Sequence, residues 1–210
     1  MRRTLASWMA GRGTGTHVPM QRLDPAPDEA QPSGSALPDG IRPRNARDLP
    51  ACARLLRVVA GEHQYPAHWP DAPRSWLAGP DVLDAWVCEQ QGEILGHVAV
   101  ATVPRNGMSR VRWQEIMGMD TTELARISRL FVRRRVRGQG IATDLVDVAV
   151  DDIRRRGLSP VIDVVSTATD GIAFLERRGW RLLAMDPWGS ATERHRVHFY
   201  AAPARPPEGG

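Results

Sequence analysis

The chain has 210 residues, 42% hydrophobic and 25% charged, which is the balance of a soluble globular protein long enough for one domain with a substantial core. No apolar run approaches the roughly 20 residues that cross a bilayer, and the opening MRRTLASWMAGRGTG holds too few apolar side chains for a secretory signal. No membrane partner is expected; the formal charge of +4 permits nucleic-acid binding and leaves an Arg-driven nucleic-acid binder as a third reading, but all 28 basic residues are arginine and 24 acidic residues nearly offset them, so nucleic acid is not the favoured partner.

Residues 1–40 are rich in Pro, Gly and Ser without periodicity and read as a disordered leader, or as residues ahead of a later start at Met20. The GRGTG run at 11–15 follows no strand and reads as part of that tail. A short strand is expected near Ile41 to Pro43, then Asn45 or Asp48 as the cap of a helix carrying Leu49, Cys52, Leu55, Leu56 and Val59 at helical spacing. Tyr65 to Pro80, with four prolines and two tryptophans, reads as a loop with at most one helical turn. Strands at 84–90 and 94–103 follow as a hairpin through Gln91-Gly92. Residues 104–122 show little alternation and are expected to form a long loop. Cys52 and Cys88 both fall in regular structure, with no disulfide framework, which points to a reducing cytoplasm.

The segment Ile127 to Arg156 is the most informative. An apolar strand (Leu130, Phe131, Val132) leads into an Arg- and Gly-rich bend and then an amphipathic helix over about 140–156, burying Ile141, Leu145, Val148, Ala149 and Ile153. Glycines 138 and 140 free the bend of side chains, and the unpaired N–H groups of the helix start point into it. Such a site suits a phosphate or diphosphate. A nucleoside-triphosphate loop needs a lysine, and this chain has none; the dinucleotide G-x-G-x-x-G pattern is also poorly met. A strand at Val161 to Val165 completes a βαβ unit, so it should lie parallel to the preceding one. Two antiparallel strands, 181–185 and 196–201, precede a tail at 203–210.

Arg137, Gly140 and Ala142 fill the R/Q-x-x-G-x-G/A positions of the acyl-CoA loop of the GNAT acetyltransferase superfamily, which this chain resembles. The Phe174-Leu175-Glu176-Arg177-Arg178-Gly179-Trp180 phrase is similar to the family's Tyr-Glu-Lys-Leu-Gly-Phe-like ending. The resemblance implies an α/β GNAT-like acyltransferase fold over residues 41–202, with a mixed, centrally splayed sheet flanked by helices. It also implies acetyl-CoA as co-substrate and an amine acceptor, without a metal and with a homodimer left open. Cofactor contacts are expected from Leu130, Phe131, Val132, Arg137, Gly138, Gln139, Gly140, Ile141, Ala142 and Thr143.

The catalytic groups are less clearly marked. The family's frequent proton-donating Tyr is here Leu175, and its Asn seven residues earlier is Ala168. Tyr65 and Tyr200 are the only tyrosines, and neither aligns with that Tyr. Glu123 is the candidate base or else a solvated strand-end carboxylate. Arg126 stands where some relatives carry a strand carboxylate, and is expected to read an acceptor anion or to lie on the surface. Arg133 to Arg135 either hold phosphates or form a solvated turn. His97 is expected to pack in a strand, with a general-base role as the alternative, and His195 and His198 are expected to be ordinary histidines. Trp69, Trp76 and Trp113 are candidates to line the acceptor pocket. The functional expectation is N-acetyl transfer to a primary amine by direct attack, with a non-catalytic acyl-CoA-binding module as the alternative.

Overall fold

A computed structural model describes residues 37–62, 65–103, 107–188 and 195–204. The expected leader and tail, with the GRGTG run, lie almost wholly outside the described residues. Strand β1 (Ile41–Pro43) pairs antiparallel with β2 (Val82–Gln90), which forms a hairpin with β3 (Glu93–Thr102). Between β1 and helix α1 (Leu49–Glu62), both candidate caps act together. The Asn45 side chain accepts the Arg47 N–H at 2.9 Å, and Asp48 accepts the Asn45 N–H at 2.8 Å. The α1 stripe Cys52, Leu55, Leu56 and Val59 is buried, as its spacing predicts. The Tyr65–Pro80 segment contains one short helix, α2 (Pro73–Leu77).

The expected loop at 104–122 is instead mostly helical: α3 (Gly107–Met117) is followed by a 3-10 turn at Thr121–Glu123. Its anchor is the fully buried Trp113, edge-on to Phe199 with centroids 4.9 Å apart. Val111 is exposed and no apolar stripe runs along the helix, so periodicity gives no sign of it.

Six further elements, β4 (Leu124–Val132), α4 (Ile141–Arg155), β5 (Ser159–Val165), α5 (Thr169–Arg177), β6 (Arg181–Trp188) and β7 (His195–Ala201), complete the set. The seven-stranded sheet has the order β1-β2-β3-β4-β5-β7-β6, and β4–β5 is its parallel pair. All five predicted core residues of α4 are buried on one sheet face. Gly96 on β3 permits this close packing, because a Cβ there would sit 2.8 Å from Leu145 Cδ1 and 3.0 Å from Ile141 Cγ2. Helices α1 and α2 cover the opposite face around Val87 and Phe131, and α3 covers it around Val103 and Val161.

The sheet opens where β4 and β5 part. Only Leu124, Ala125 and Arg126 pair with β5, to Ser159, Pro160 and Val161, and beyond them the strands diverge. On its other edge β4 carries one extra residue against β3, since His97 pairs with Phe131 and Ala99 with Ser128. Arg129 lies in this bulge at φ +52°, a left-handed conformation rare for a non-glycine residue.

Packing holds the bulge at both main chain and side chain. The Arg129 guanidinium bonds the Trp76 carbonyl at 2.8 Å and Asp81 at 2.9 Å, and lies over the Trp76 ring at 5.0 Å. The Arg129 carbonyl accepts from His97 Nδ1 at 2.8 Å, while Arg44 donates to His97 Nε2 at 3.1 Å. His97 is fully buried against Phe131, and burial pushes its pKa down to about 3, so it is neutral and structural.

An unfolded histidine titrates near 6.5, so between that pH and about 3 the unfolded chain binds the proton that the folded one refuses. Stability is therefore expected to fall as pH drops through this window. Urea midpoints between pH 6.5 and 4.5 should decline in the native chain and stay flatter in His97→Gln; equal slopes would remove the assignment.

Candidate functional site

The opening between β4 and β5 continues into a cleft of about 630 Å³. Leu130, Phe131 and Val132 form its strand wall; Arg137, Gly138, Gly140, Ile141, Ala142 and Thr143 form its bend. These are nine of the ten residues predicted for a cofactor, and Gln139 is not among those lining the cleft. The Arg133 N–H bonds Leu95 on β3, so strand alternation turns the N–H groups of Val132 and Leu130 toward the gap. They are donors where the neighbouring strand has withdrawn.

The bend has the predicted form. Gly138 and Gly140 lie at φ +79° and +82°; a Cβ on Gly138 would meet nothing within 4 Å, and one on Gly140 would meet only Asp144 Oδ2 at 3.9 Å. The space beside them is open. The first intrahelical bond of α4 is Asp144 N–H to Gly140 O at 3.0 Å, which leaves the N–H groups of Ile141 to Thr143 without helical acceptors. No side chain caps this end. The start of α5, also without a side-chain cap, lines the same cleft through Ala168, Thr169 and Gly171. Two helix N-termini thus favour negative charge in one cavity. Arg137 adds a guanidinium at the rim, where it bonds Asp170 at 2.9 Å.

Other predicted residues have different settings. Arg133 bonds Glu93 at 2.7 Å and Arg135 pairs with the same carboxylate, so this turn is tied to the β2–β3 hairpin and neither arginine lines the cleft. Glu123 lies ahead of β4, where its carboxylate accepts the Asp120 N–H at 2.9 Å as part of a capping box. That is roughly 20 Å from Leu130 at the usual rise of a strand. Trp113 is core, Trp76 lies beneath Arg129, and the exposed Trp69 sits under the Arg57 guanidinium.

Arg126 has its NH1 3.1 Å from Asp163 on β5. The pair bridges the two strands just past their last register pair. Sequence reading passed over Asp163 because it lies inside an apolar strand phrase. It also passed over Tyr65, which lines the cleft and packs its ring 6.3 Å from Phe131. Burial pushes the Tyr65 phenol up, so it stays protonated at neutral pH; the charges of Arg129, Arg126 and Asp163 also act on it. Leu175, at the family's Tyr position, is buried in the core, whereas Ala168 opens onto the cleft. The one available signal was scarcity, since the chain has two tyrosines and Tyr200 is buried beside Glu176.

Among the described residues, no helix is long and apolar enough to cross a membrane, and no group of three or more His, Cys, Asp or Glu could hold a metal ion.

Solved structures share this architecture. The protein smu.2055 of Streptococcus mutans superposes with a TM-score of 0.60 at 15% identity, covering 77% of this chain and 96% of that one. For yncA of Salmonella typhimurium, solved with its cofactor acetyl-CoA, the values are 0.56, 18%, 77% and 91%. For the ribosomal-protein-S18-alanine N-acetyltransferase of Escherichia coli they are 0.55, 15%, 78% and 92%. No curated protein sequence matches the chain. The family model described as Acetyltransferase (GNAT) family matches residues 50–180, a span that contains the bulged strand, the glycine bend and every residue lining the cleft. The chain belongs to the GNAT acetyltransferase family.

Proposed function

We propose that this protein binds acetyl-CoA in the cleft and transfers its acetyl group to a primary amine by direct attack, without an acyl-enzyme. The observation that carries this reading is the meeting of an open glycine bend, two uncapped helix N-termini and the β4–β5 gap in one cavity. The amides from Gly138 to Thr143 would hold the diphosphate. The N–H groups of Leu130 and Val132 would hold the pantetheine arm and polarise the thioester carbonyl, whose acetyl group is the chemistry the co-substrate supplies.

We assign Asp163, on β5 beyond the last β4 pairing and bonded to Arg126, to accept a proton from the amine. Glu123 takes no part in this reading, because its carboxylate is engaged at the far end of β4. Tyr65, kept protonated by burial, returns a proton to the thiolate sulfur. A cytoplasmic location accords with free buried thiols at Cys52 and Cys88.

Acetyl-CoA with pooled amines should release thiol and give N-acetylated products by mass spectrometry. Tyr65→Phe should lower kcat about 10-fold or more with little change in the KM for acetyl-CoA; an unchanged kcat would remove Tyr65 from the mechanism. The buried Leu175 in place of the family's Tyr favours a second reading, a non-catalytic acyl-CoA-binding module. Tight acetyl-CoA binding with no turnover of any amine would select it.

A further inference from the structure

Resting on the acetyltransferase reading, we infer that the acceptor is a free α-amino acid, whose ammonium is taken by Asp163 and whose carboxylate is taken by the unused edge of the Arg126 guanidinium. Arg126 spends only NH1 on Asp163, at 3.1 and 3.4 Å from the two carboxylate oxygens. Its Nε is buried and has no hydrogen-bond partner among the described residues. The Nε side of a guanidinium is the fork that takes a carboxylate in two parallel bonds, as Arg112 does here with Asp186 through Nε and NH2 at 2.7 and 2.9 Å. A buried donor without an acceptor is costly, and a bound carboxylate would satisfy it.

Among the described residues, the neighbouring Arg129 and Asp81 are matched to each other. Arg129 is held by Asp81 and the Trp76 carbonyl, so the donor and acceptor with remaining capacity are Arg126 and Asp163. They carry opposite charges side by side. An α-amino acid carries the complementary pair, with ammonium and carboxylate separated by a single carbon. Its binding replaces one ion pair by two and leaves the site's net charge unchanged. A simple amine would compete with Arg126 for Asp163 and leave the fork empty. A peptide N-terminus has an amide where the carboxylate is required.

The pair is also placed for transfer. It lies where β4 and β5 part, and the opening there continues into the cofactor cleft that Tyr65 lines. Asp163 accepts one proton from the ammonium, and the freed nitrogen forms the C–N bond to the acetyl carbon as the thioester C–S bond breaks. The surplus proton on nitrogen is lost to solvent, while Tyr65 supplies one to the sulfur and is reprotonated from solvent. The products are an N-acetyl amino acid and free CoA thiol, and Asp163 finally releases its proton.

The test gives the full chain acetyl-CoA with each proteinogenic amino acid, its carboxamide, and simple alkylamines, with products read by mass spectrometry. At least one free amino acid should be acetylated, with kcat/KM about 100-fold above that of its carboxamide. Arg126→Gln, whatever it does to both acceptors through Asp163, should bring the ratio of kcat/KM for the acid to that for its carboxamide from about 100 to within about threefold of unity, a change in ratio that a merely structural role would not produce. The inference is overturned if carboxamides or alkylamines are used as well as the acids, or if no amino acid is acetylated. Should Arg126→Gln fail to fold, the acid-to-amide ratio of the native chain decides alone. Calorimetry with acetyl-CoA separates the two levels: binding together with alkylamine acetylation keeps the acetyltransferase reading and ends this inference, whereas no binding ends both.

Discussion

Gly140→Glu is expected to lower acetyl-CoA affinity at least about 100-fold, equivalent to about 2.7 kcal/mol, in a chain that still folds. Gly140 stands at φ +82° at the start of α4, with open space on the side where a Cβ would project. The glutamate side chain would therefore enter the volume assigned to the diphosphate without displacing any neighbour, bringing negative charge to the amides that should receive phosphate. The left-handed backbone costs a non-glycine residue about 1–2 kcal/mol of stability. Gly140→Ala carries the same backbone cost without the carboxylate, and should lose less than about 10-fold in affinity. Calorimetry on both variants, with circular dichroism as the fold control, separates the effects. Native affinity in Gly140→Glu would show that the diphosphate does not use the bend.

Asp163→Asn is expected to reduce kcat/KM for the amine by about 100-fold or more, the usual contribution of a positioned general base. Its acetyl-CoA affinity should stay within about twofold, because Asp163 does not line the cofactor cleft. Asparagine keeps an acceptor oxygen for Arg126, so the bridge between β4 and β5 survives while proton uptake is lost. A purely structural Asp163 would lower stability and leave turnover by the folded fraction alone. Turnover within about threefold of native would place the base elsewhere.

What sequence made legible follows periodicity and backbone demand. The α4 stripe was readable because five apolar side chains recur on one helix face, and the bend because its glycines lie in left-handed backbone. The β4–β5 parallel pairing followed from the βαβ connection. Helix α3 was missed because one tryptophan anchors it instead of a stripe. Arg129 gave no warning of its φ of +52°, since the contacts that hold it come from Trp76, Asp81 and His97, 32 to 53 residues away in sequence. Glu123 drew attention through its nearness to β4 in sequence, but a capping box claims its carboxylate. Asp163 and Tyr65 come to the gap only through tertiary structure, one from within an apolar strand and the other from a proline-rich loop.

A crystal structure of the chain grown with acetyl-CoA would try the whole account in one step. The bound thioester carrier should place its two bridged phosphates on the amides between Gly138 and Thr143 and run its pantetheine arm along Leu130 to Val132. A ligand seated elsewhere, with the glycine bend vacant, would contradict it.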